Sequence, residues 1–270
     1  MERGYMVAQI REAEARAFEV VAADALMQRA AAGLARAILR RLRGTGIAYG
    51  RRVLLVVGSG NNGGDALYAG VRLLRRGVRV EVWRTGSAVH RSGWADFLAA
   101  GGREVDAAAA STGLGGYALV VDGVAGIGSR PGLDGEVAGF AAAVARSNVP
   151  VVAVDLPSGL APEPPFATDP HFEAALTVTF GGLKACHLME PARSACGEVE
   201  LIDIGLDLPE PAFVRWDASD LAAVWPVPDA SSDKYSRGVV GLDTGSPSYP
   251  GAAVLGVAGA VGAGAGMVRY

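Results

Sequence analysis

The stretch Val53 to Asp65, VLLVVGSGNNGGD, constrains the fold more than any other part of the chain. Val53, Leu54, Leu55, Val56 and Val57 form an unbroken apolar run, the pattern of a strand buried on both faces. Gly58, Gly60, Gly63 and Gly64 follow, with Asn61 and Asn62 among them. Asp65 is then expected to N-cap a helix carrying Leu67, Val71 and Leu74, which Gly77 closes. Strand, glycine loop and helix in that order make a phosphate-cradling turn. The glycines let the backbone approach a ligand, and free N–H groups at a helix start favour an anion.

Periodicity extends this unit in both directions. Helices are expected over Tyr5 to Val20 and Asp24 to Leu42, the second with Asp24 as N-cap and an apolar stripe opposite its arginines. A strand at Val78 to Trp83 and a helix near Trp94 to Ala100 follow. Strands at Ala118 to Val121 and Pro150 to Val154 flank a helix from Glu136 to Arg146, and further strands fall at Leu176 to Phe180 and Glu198 to Ile202. Strands alternating with helices predict an α/β fold, a parallel sheet with helices on both faces.

Residues 1–210 are read as this domain and 211–233, rich in Pro and Asp, as a linker. Residues 234–270 contain VVGLDTG, SPSYPG and a Gly/Ala helix, a second glycine-loop unit too short for a core of its own. The strand that should follow is expected only beyond Tyr270. Gly251 to Val268 carries no charge, but Gly and Ala in place of Leu, Ile and Phe give it weak transfer energy. It reads as a closely packed internal helix and not as a membrane span. The first twenty residues are charged throughout and lack an apolar signal core. Cys186 and Cys196 fit no metal spacing and read as reduced thiols, so a cytoplasmic protein is expected. A net charge of −3 with dispersed basic residues argues against a nucleic-acid surface. Oligomeric state stays open, a homo-oligomer included.

Ligands of such sheets bind outside the carboxyl ends of the strands. Three expected strand ends carry functional-looking loops: GSGNNGGD, Asp122 with GVAGIGSRPG, and Asp155-Leu156-Pro157-Ser158-Gly159. Asn62, Asp122 and Ser158 offer hard oxygens suited to an alkali or alkaline-earth cation, and a single carboxylate favours a monovalent one. The plainer alternatives are loop capping for Asp122 and a turn role for Ser158. Asp155 follows a buried strand, so desolvation could suit it to proton transfer; otherwise it is a strand-end acid bonded to backbone N–H groups. Lys184 could meet a phosphate, pair with Asp155, or simply face solvent. Gly58 to Gly63 satisfies GxGxxG, with Glu81 near the place of a ribose-binding acid, yet Asp65 would repel a pyrophosphate at the helix start. His90, His171 and His187 receive no role, and no Ser-His-Asp or Cys-His arrangement is readable.

LMQRAAAGLA, GSGNNGGD, VVDGVAGIGSR, VDLPSG and TVTFGGLKACHLMEPARSACGEVELIDIGL occur in order over residues 5–206, and on them the chain resembles the NAD(P)H-hydrate epimerase family. The resemblance implies a Rossmann-like, three-layer αβα fold, interconversion of the R and S epimers of hydrated NADH and NADPH, and a bound potassium ion. It implies substrate contacts from Asn61, Asn62, Gly63, Gly64 and Asp65, and from Gly126, Ile127, Gly128, Ser129, Arg130, Pro131 and Gly132. Asp155 would lie against the damaged nicotinamide as acid/base, Lys184 near the substrate, and Asn62, Asp122 and Ser158 around potassium. Ala66 stands where the family usually has glycine, which puts in question how closely substrate approaches there.

The tail from Lys234 resembles the opening of the ribokinase-like, ADP- or ATP-dependent NAD(P)H-hydrate dehydratase, which would use ADP or ATP with magnesium. Its downstream GAGD-type motif is not in this sequence, so dehydration is expected only of a longer parent chain. The residues themselves leave two other classes open. One is a nicotinamide-dependent dehydrogenase, the other a non-catalytic nucleotide-binding interaction protein.

Overall fold

A computed structural model describes residues 1–44, 46–128, 130–167 and 170–270. It divides into two units, Met1–Arg215 and Trp216–Tyr270. The first unit begins with β1 (Glu2–Gly4), α1 (Val7–Val20), α2 (Ala23–Gly44), β2 (Arg52–Val57) and α3 (Asn61–Leu74). It continues through β3 (Arg79–Arg84), α4 (Arg91–Ala99), β4 (Arg103–Glu104), α5 (Ala107–Thr112), a 3-10 turn, β5 (Leu119–Gly123), α6 (Gly135–Ala145) and β6 (Val151–Val154). It closes with β7 (Leu176–Phe180), α7 (Ala185–Leu188), α8 (Ala192–Ala195), β8 (Glu198–Ile202) and β9 (Phe213–Arg215).

Seven strands pair in the order β4-β3-β2-β5-β6-β7-β8, and every pairing is parallel. The architecture is Rossmann-like. Because side chains alternate along a strand, β2 feeds two cores. Val53, Leu55 and Val57 join Leu34 and Ile38 of α2, Leu67 of α3 and Phe97 of α4 on one face. Leu54 and Val56 join Trp83, Val120 and Phe140 on the other. Gly33 of α2 keeps the first layer tight, since a Cβ there would come within 2.5 Å of Ile202 Cγ2. Strand order reverses between β2 and β5, and a crevice at their carboxyl ends follows from that topology.

Several expectations change. The second helix starts at Ala23, so Asp24 lies in its first turn and is not the N-cap. The segment read as a linker contains β9, which pairs antiparallel with β1, and α9 (Ala218–Val224). Neither strand was expected; each is three residues long and gains its ladder only from a partner over 200 positions away. Arginines dispersed in the sequence also gather by helical spacing, Arg36, Arg40 and Arg43 lining a hollow with Arg72 and Arg76.

In the second unit β10 (Val239–Gly241) pairs parallel with β11 (Met267–Arg269), and α10 (Gly251–Gly262) connects them. The strand expected beyond Tyr270 instead begins at the end of the Gly/Ala stretch, where Val268 pairs with Val240. The expectation of a closely packed helix is also corrected. Only Ala253 of α10 is buried, and Leu255 is 74% exposed, because two three-residue strands offer little surface to cover it. Among the described residues no helix is long and apolar enough to cross a membrane.

The glycine loop has a steric requirement at one position and freedom at another. A Cβ on Gly58 would sit 2.0 Å from the Val124 carbonyl oxygen, whereas one on Gly60 would meet nothing within 4 Å. Gly58→Ala is therefore expected to destabilise the chain by roughly 1–3 kcal/mol in urea unfolding, and Gly60→Ala to leave stability almost unchanged. Equal effects of the two substitutions would contradict this packing.

Candidate functional site

The carboxyl ends of β2, β5, β6 and β7 open onto a cavity of about 500 Å³. Its lining includes Asn61, Asn62 and Asp65 from the glycine loop and α3, Gly126, Ile127 and Gly128 after β5, Asp155 after β6, and Lys184 after β7. Arg11 and Glu14 of α1 complete it.

Asp155 is the turning point. It follows β6 with φ of 69°, a left-handed conformation that aspartate tolerates better than most side chains. Its N–H donates to Val178 O (2.8 Å). Its Oδ1 accepts from Lys184 Nζ (2.5 Å) and Thr179 Oγ1 (3.0 Å). Lys184 Nζ also reaches Thr179 Oγ1 (2.8 Å) and Phe180 O (3.3 Å), and the residue is 1% exposed. Oδ2 lies toward the loop after β5, 3.3 Å from where a Cβ on Gly126 would stand. Burial alone would raise the Asp155 pKa, but the Lys184 charge and hydrogen bond outweigh it and hold the carboxyl below its ordinary value. Of the readings open for Lys184, the pair with Asp155 is the one realised.

His187, given no role from the sequence, braces this centre. Its Nδ1 accepts from the Lys184 N–H (3.0 Å), so the ring proton resides on Nε2 and is donated to Asp155 O (2.8 Å). Burial, reinforced by the Lys184 charge, lowers its pKa to about 3. The ring is neutral at physiological pH.

Asp122 and Ser158 meet at the neighbouring strand ends, both fully buried. Ser158 N–H donates to Asp122 Oδ2 (2.7 Å) and Ser158 Oγ to Asp122 Oδ1 (2.6 Å). Val124 N–H donates to Asp122 Oδ1 (3.3 Å), and the Ala125 carbonyl lies 3.1 Å from Ser158 Oγ. These donors are all neutral. Burial, partly offset by the Ser158 bonds, lifts the Asp122 pKa to about 6. Asn62 is adjacent, its backbone oxygen 3.3 Å from where a Gly123 Cβ would stand and its Oδ1 near Gly126. Its Nδ2 is buried and has no hydrogen-bond partner among the described residues.

The glycine loop departs from expectation at Asp65. The helix starts at Asn61 with Gly60 as N-cap, so Asp65 lies inside it and does not cap it. A Cβ on Gly63 would meet Gly58 O at 2.3 Å, and one on Gly64 would meet His90 at 2.9 Å. Their absence lets the helix begin earlier and press against the loop. Asp65 Oδ1 is buried and has no hydrogen-bond partner among the described residues, and burial, with Asp155 and Glu14 nearby, raises its pKa well above the usual range. Ala66 turns its methyl toward Gly123, and it does not line the cavity. Arg130 and Pro131 are exposed, and Gly132 donates its N–H to Gly159 O; these three are absent from the lining. Ser129 lies outside the described residues.

Glu81 does not reach this rim. It sits three residues before the end of β3, accepting from Arg52 Nη2 (3.0 Å) and Tyr117 Oη (2.5 Å), which removes the acid a dehydrogenase reading needs.

The YjeF-related protein N-terminus family matches residues 23–186. The bifunctional NAD(P)H-hydrate repair enzyme Nnr of Mycobacterium leprae is 49% identical over 100% of this chain and 56% of its own length. The chain thus spans about half the length of that relative. The NAD(P)H-hydrate epimerase of Clavibacter michiganensis is 44% identical over 76% of this chain and 91% of its own length. Among solved structures, yeast ynu0 covers 65% of this chain and 76% of its own with a TM-score of 0.55; at 22% identity the likeness is one of fold.

A neutral buried histidine has a consequence for acid stability. The unfolded chain protonates His187 near pH 6.5 while the folded chain resists down to about pH 3, so between these values the unfolded state holds the extra proton. This contribution is complete above pH 6.5 and is lost as pH falls toward 3, by at most about 1.4 kcal/mol per pH unit. His187→Gln is expected to flatten that part of the stability-against-pH curve, read from urea unfolding at a series of pH values. An unchanged slope would mean the ring is not held neutral.

Proposed function

The chain belongs to the NAD(P)H-hydrate epimerase family, and from that membership we propose that its first unit interconverts the R and S forms of hydrated NADH and NADPH. The observation that carries the proposal is Asp155. It is a carboxylate kept ionised by Lys184, with one oxygen committed and the other directed to the cavity. Asp155 moves a proton during reversible loss and readdition at the hydrated carbon of the nicotinamide. Lys184 and His187 hold it in place and fix its charge. The loop Asn61 to Asp65 and the loop after β5 flank the substrate.

Potassium belongs to the same proposal. Asp122 is a fully buried carboxylate whose described donors are all neutral, beside the oxygens of Ser158 and Ala125, a donor set that suits a hard monovalent cation. Asn62, Asp122 and Ser158 would hold it. The ion would supply positive charge at the joint between the glycine loop and the loops after β5 and β6. A cytoplasmic setting, in keeping with two buried free thiols, is part of this reading.

Residues 234–270 are proposed as the opening of a ribokinase-like NAD(P)H-hydrate dehydratase domain. The parent protein would then dehydrate one epimer at the expense of ADP or ATP with magnesium, and 211–233 would join the two activities. Support comes from the bifunctional relatives, which match across the whole of this chain.

Asp155→Asn is expected to abolish epimerisation, followed by chromatography of the R and S forms, with the folded state retained by circular dichroism. Turnover near that of the unsubstituted chain would remove Asp155 from the chemistry. Exchange of potassium for choline is expected to weaken substrate binding severalfold; indifference to the exchange would argue against the cation.

A further inference from the structure

The path of α1 places an acid over the centre just described. Its start is tied to the end of β7, where Tyr5 N–H donates to Leu183 O (2.8 Å) and Gly4 bridges Leu183. One turn and a half later, Arg11 Nη2 donates to Ile127 O (3.2 Å) in the loop after β5. Because β6 lies between β5 and β7, the helix crosses above the carboxyl end of β6, and Asp155 stands at that end. The helix is therefore a roof, with the Asp155 carboxylate in the floor.

The inner stripe of this roof is Ile10, Ala13 and Ala17, all buried. Residues at i, i+3, i+4 and i+7 share one helical face, so Glu14 takes the place in that stripe where an apolar side chain would be expected. It is half-buried and lines the same cavity as Asp155, Lys184 and Asp65. An acid on the packed face of a helix carries a desolvation cost that a structural role does not explain.

We infer that Glu14 is the second proton-transfer group of the epimerase, serving the face of the nicotinamide ring opposite Asp155. The inference rests on the proposed function. Conversion of R to S inverts one carbon; on the route by which water is lost and added back, the hydroxyl leaves one face and water adds to the other. In one direction Glu14 in its acid form protonates the departing hydroxyl. The carbon–oxygen bond breaks, the ring nitrogen's lone pair fills the vacancy at carbon, and water is released. A water on the floor side then bonds to that carbon and gives its proton to Asp155 Oδ2, returning the electron pair to nitrogen. The reverse conversion runs with the two carboxyls exchanged, and a proton returned through solvent resets the pair.

The charged surroundings match these starting states. Around Glu14 stand Arg11 on its own helix, Asp65 on α3, Asp155 after β6 and Lys184 after β7. Burial raises the Glu14 pKa, Lys184 and Arg11 oppose this and Asp155 adds to it, so Glu14 holds a proton more readily than an ordinary glutamate while Lys184 holds Asp155 below its ordinary value.

The test compares the unsubstituted chain with Glu14→Gln and Glu14→Asp by the rate at which separated R and S forms of hydrated NADPH approach equilibrium. Glutamine is nearly isosteric with the acid form and should fold; aspartate retains the carboxyl if it does not. Glu14→Gln is expected to lower kcat by roughly 10²–10⁴-fold with KM changed less than about threefold. Glu14→Asp should recover part of that loss. A fall of kcat with rising pH is expected of the unsubstituted chain and should be missing from the glutamine variant. A glutamine variant with kcat within about threefold of the unsubstituted chain, or a loss confined to KM, overturns the role of Glu14 alone. Failure of the unsubstituted chain to epimerise overturns the proposed function and this inference with it.

Discussion

The contact between Lys184 and Asp155 is the one on which the site depends. Both residues are buried, and the Lys184 ammonium has no bulk water to turn to. Removing one partner of such a pair costs on the order of 3–5 kcal/mol, because the other is left desolvated and alone. Here each proton of the ammonium finds an oxygen, on Asp155, Thr179 and Phe180. The two residues are 29 positions apart yet adjacent in space, because β6 and β7 are neighbours and each leads into its loop at the same edge. The left-handed turn at Asp155, the neutral ring of His187 and the direction of Oδ2 all follow from holding that pair in place.

Two aspartates at successive strand ends meet opposite electrostatic fates. Asp122, surrounded by neutral donors, is pushed up to about 6. Asp155, also buried but facing an ammonium, is drawn down. A single parallel sheet thus supplies one carboxyl that asks for a cation and another that already has one. Environments that push the pKa values of neighbouring acids apart are how one fold assigns them separate tasks.

Much of this was legible in the residues. The run Val53–Val57 read as a strand buried on both faces, Asp122 and Asp155 stood directly after apolar runs, and Ser158 came three residues after Asp155. What escaped depended on contacts that leave no local mark. His187 works through two main-chain groups, and no spacing announces that. Asp65 resembled a cap because aspartate before an apolar helix commonly is one, but two glycines let the helix start five residues earlier. Glu14 did carry a signal, an acid within the stripe Ile10, Ala13 and Ala17, visible only to someone asking which face of α1 is packed. The pairing of Glu2–Gly4 with Phe213–Arg215 had none.

That last pairing bears on how the protein emerges from the ribosome. The strand that anchors the amino terminus cannot find its mate until residue 215 has left the exit tunnel. Every strand of the large sheet has been synthesised by then, since the last of them ends at Ile202. The nascent sheet can therefore assemble with its pocket uncovered, and the amino-terminal helix is clasped down as a late event of biosynthesis. A chain interrupted shortly before this clasp would keep its sheet and hold the lid above its reactive carboxylate only through Leu183 and Ile127.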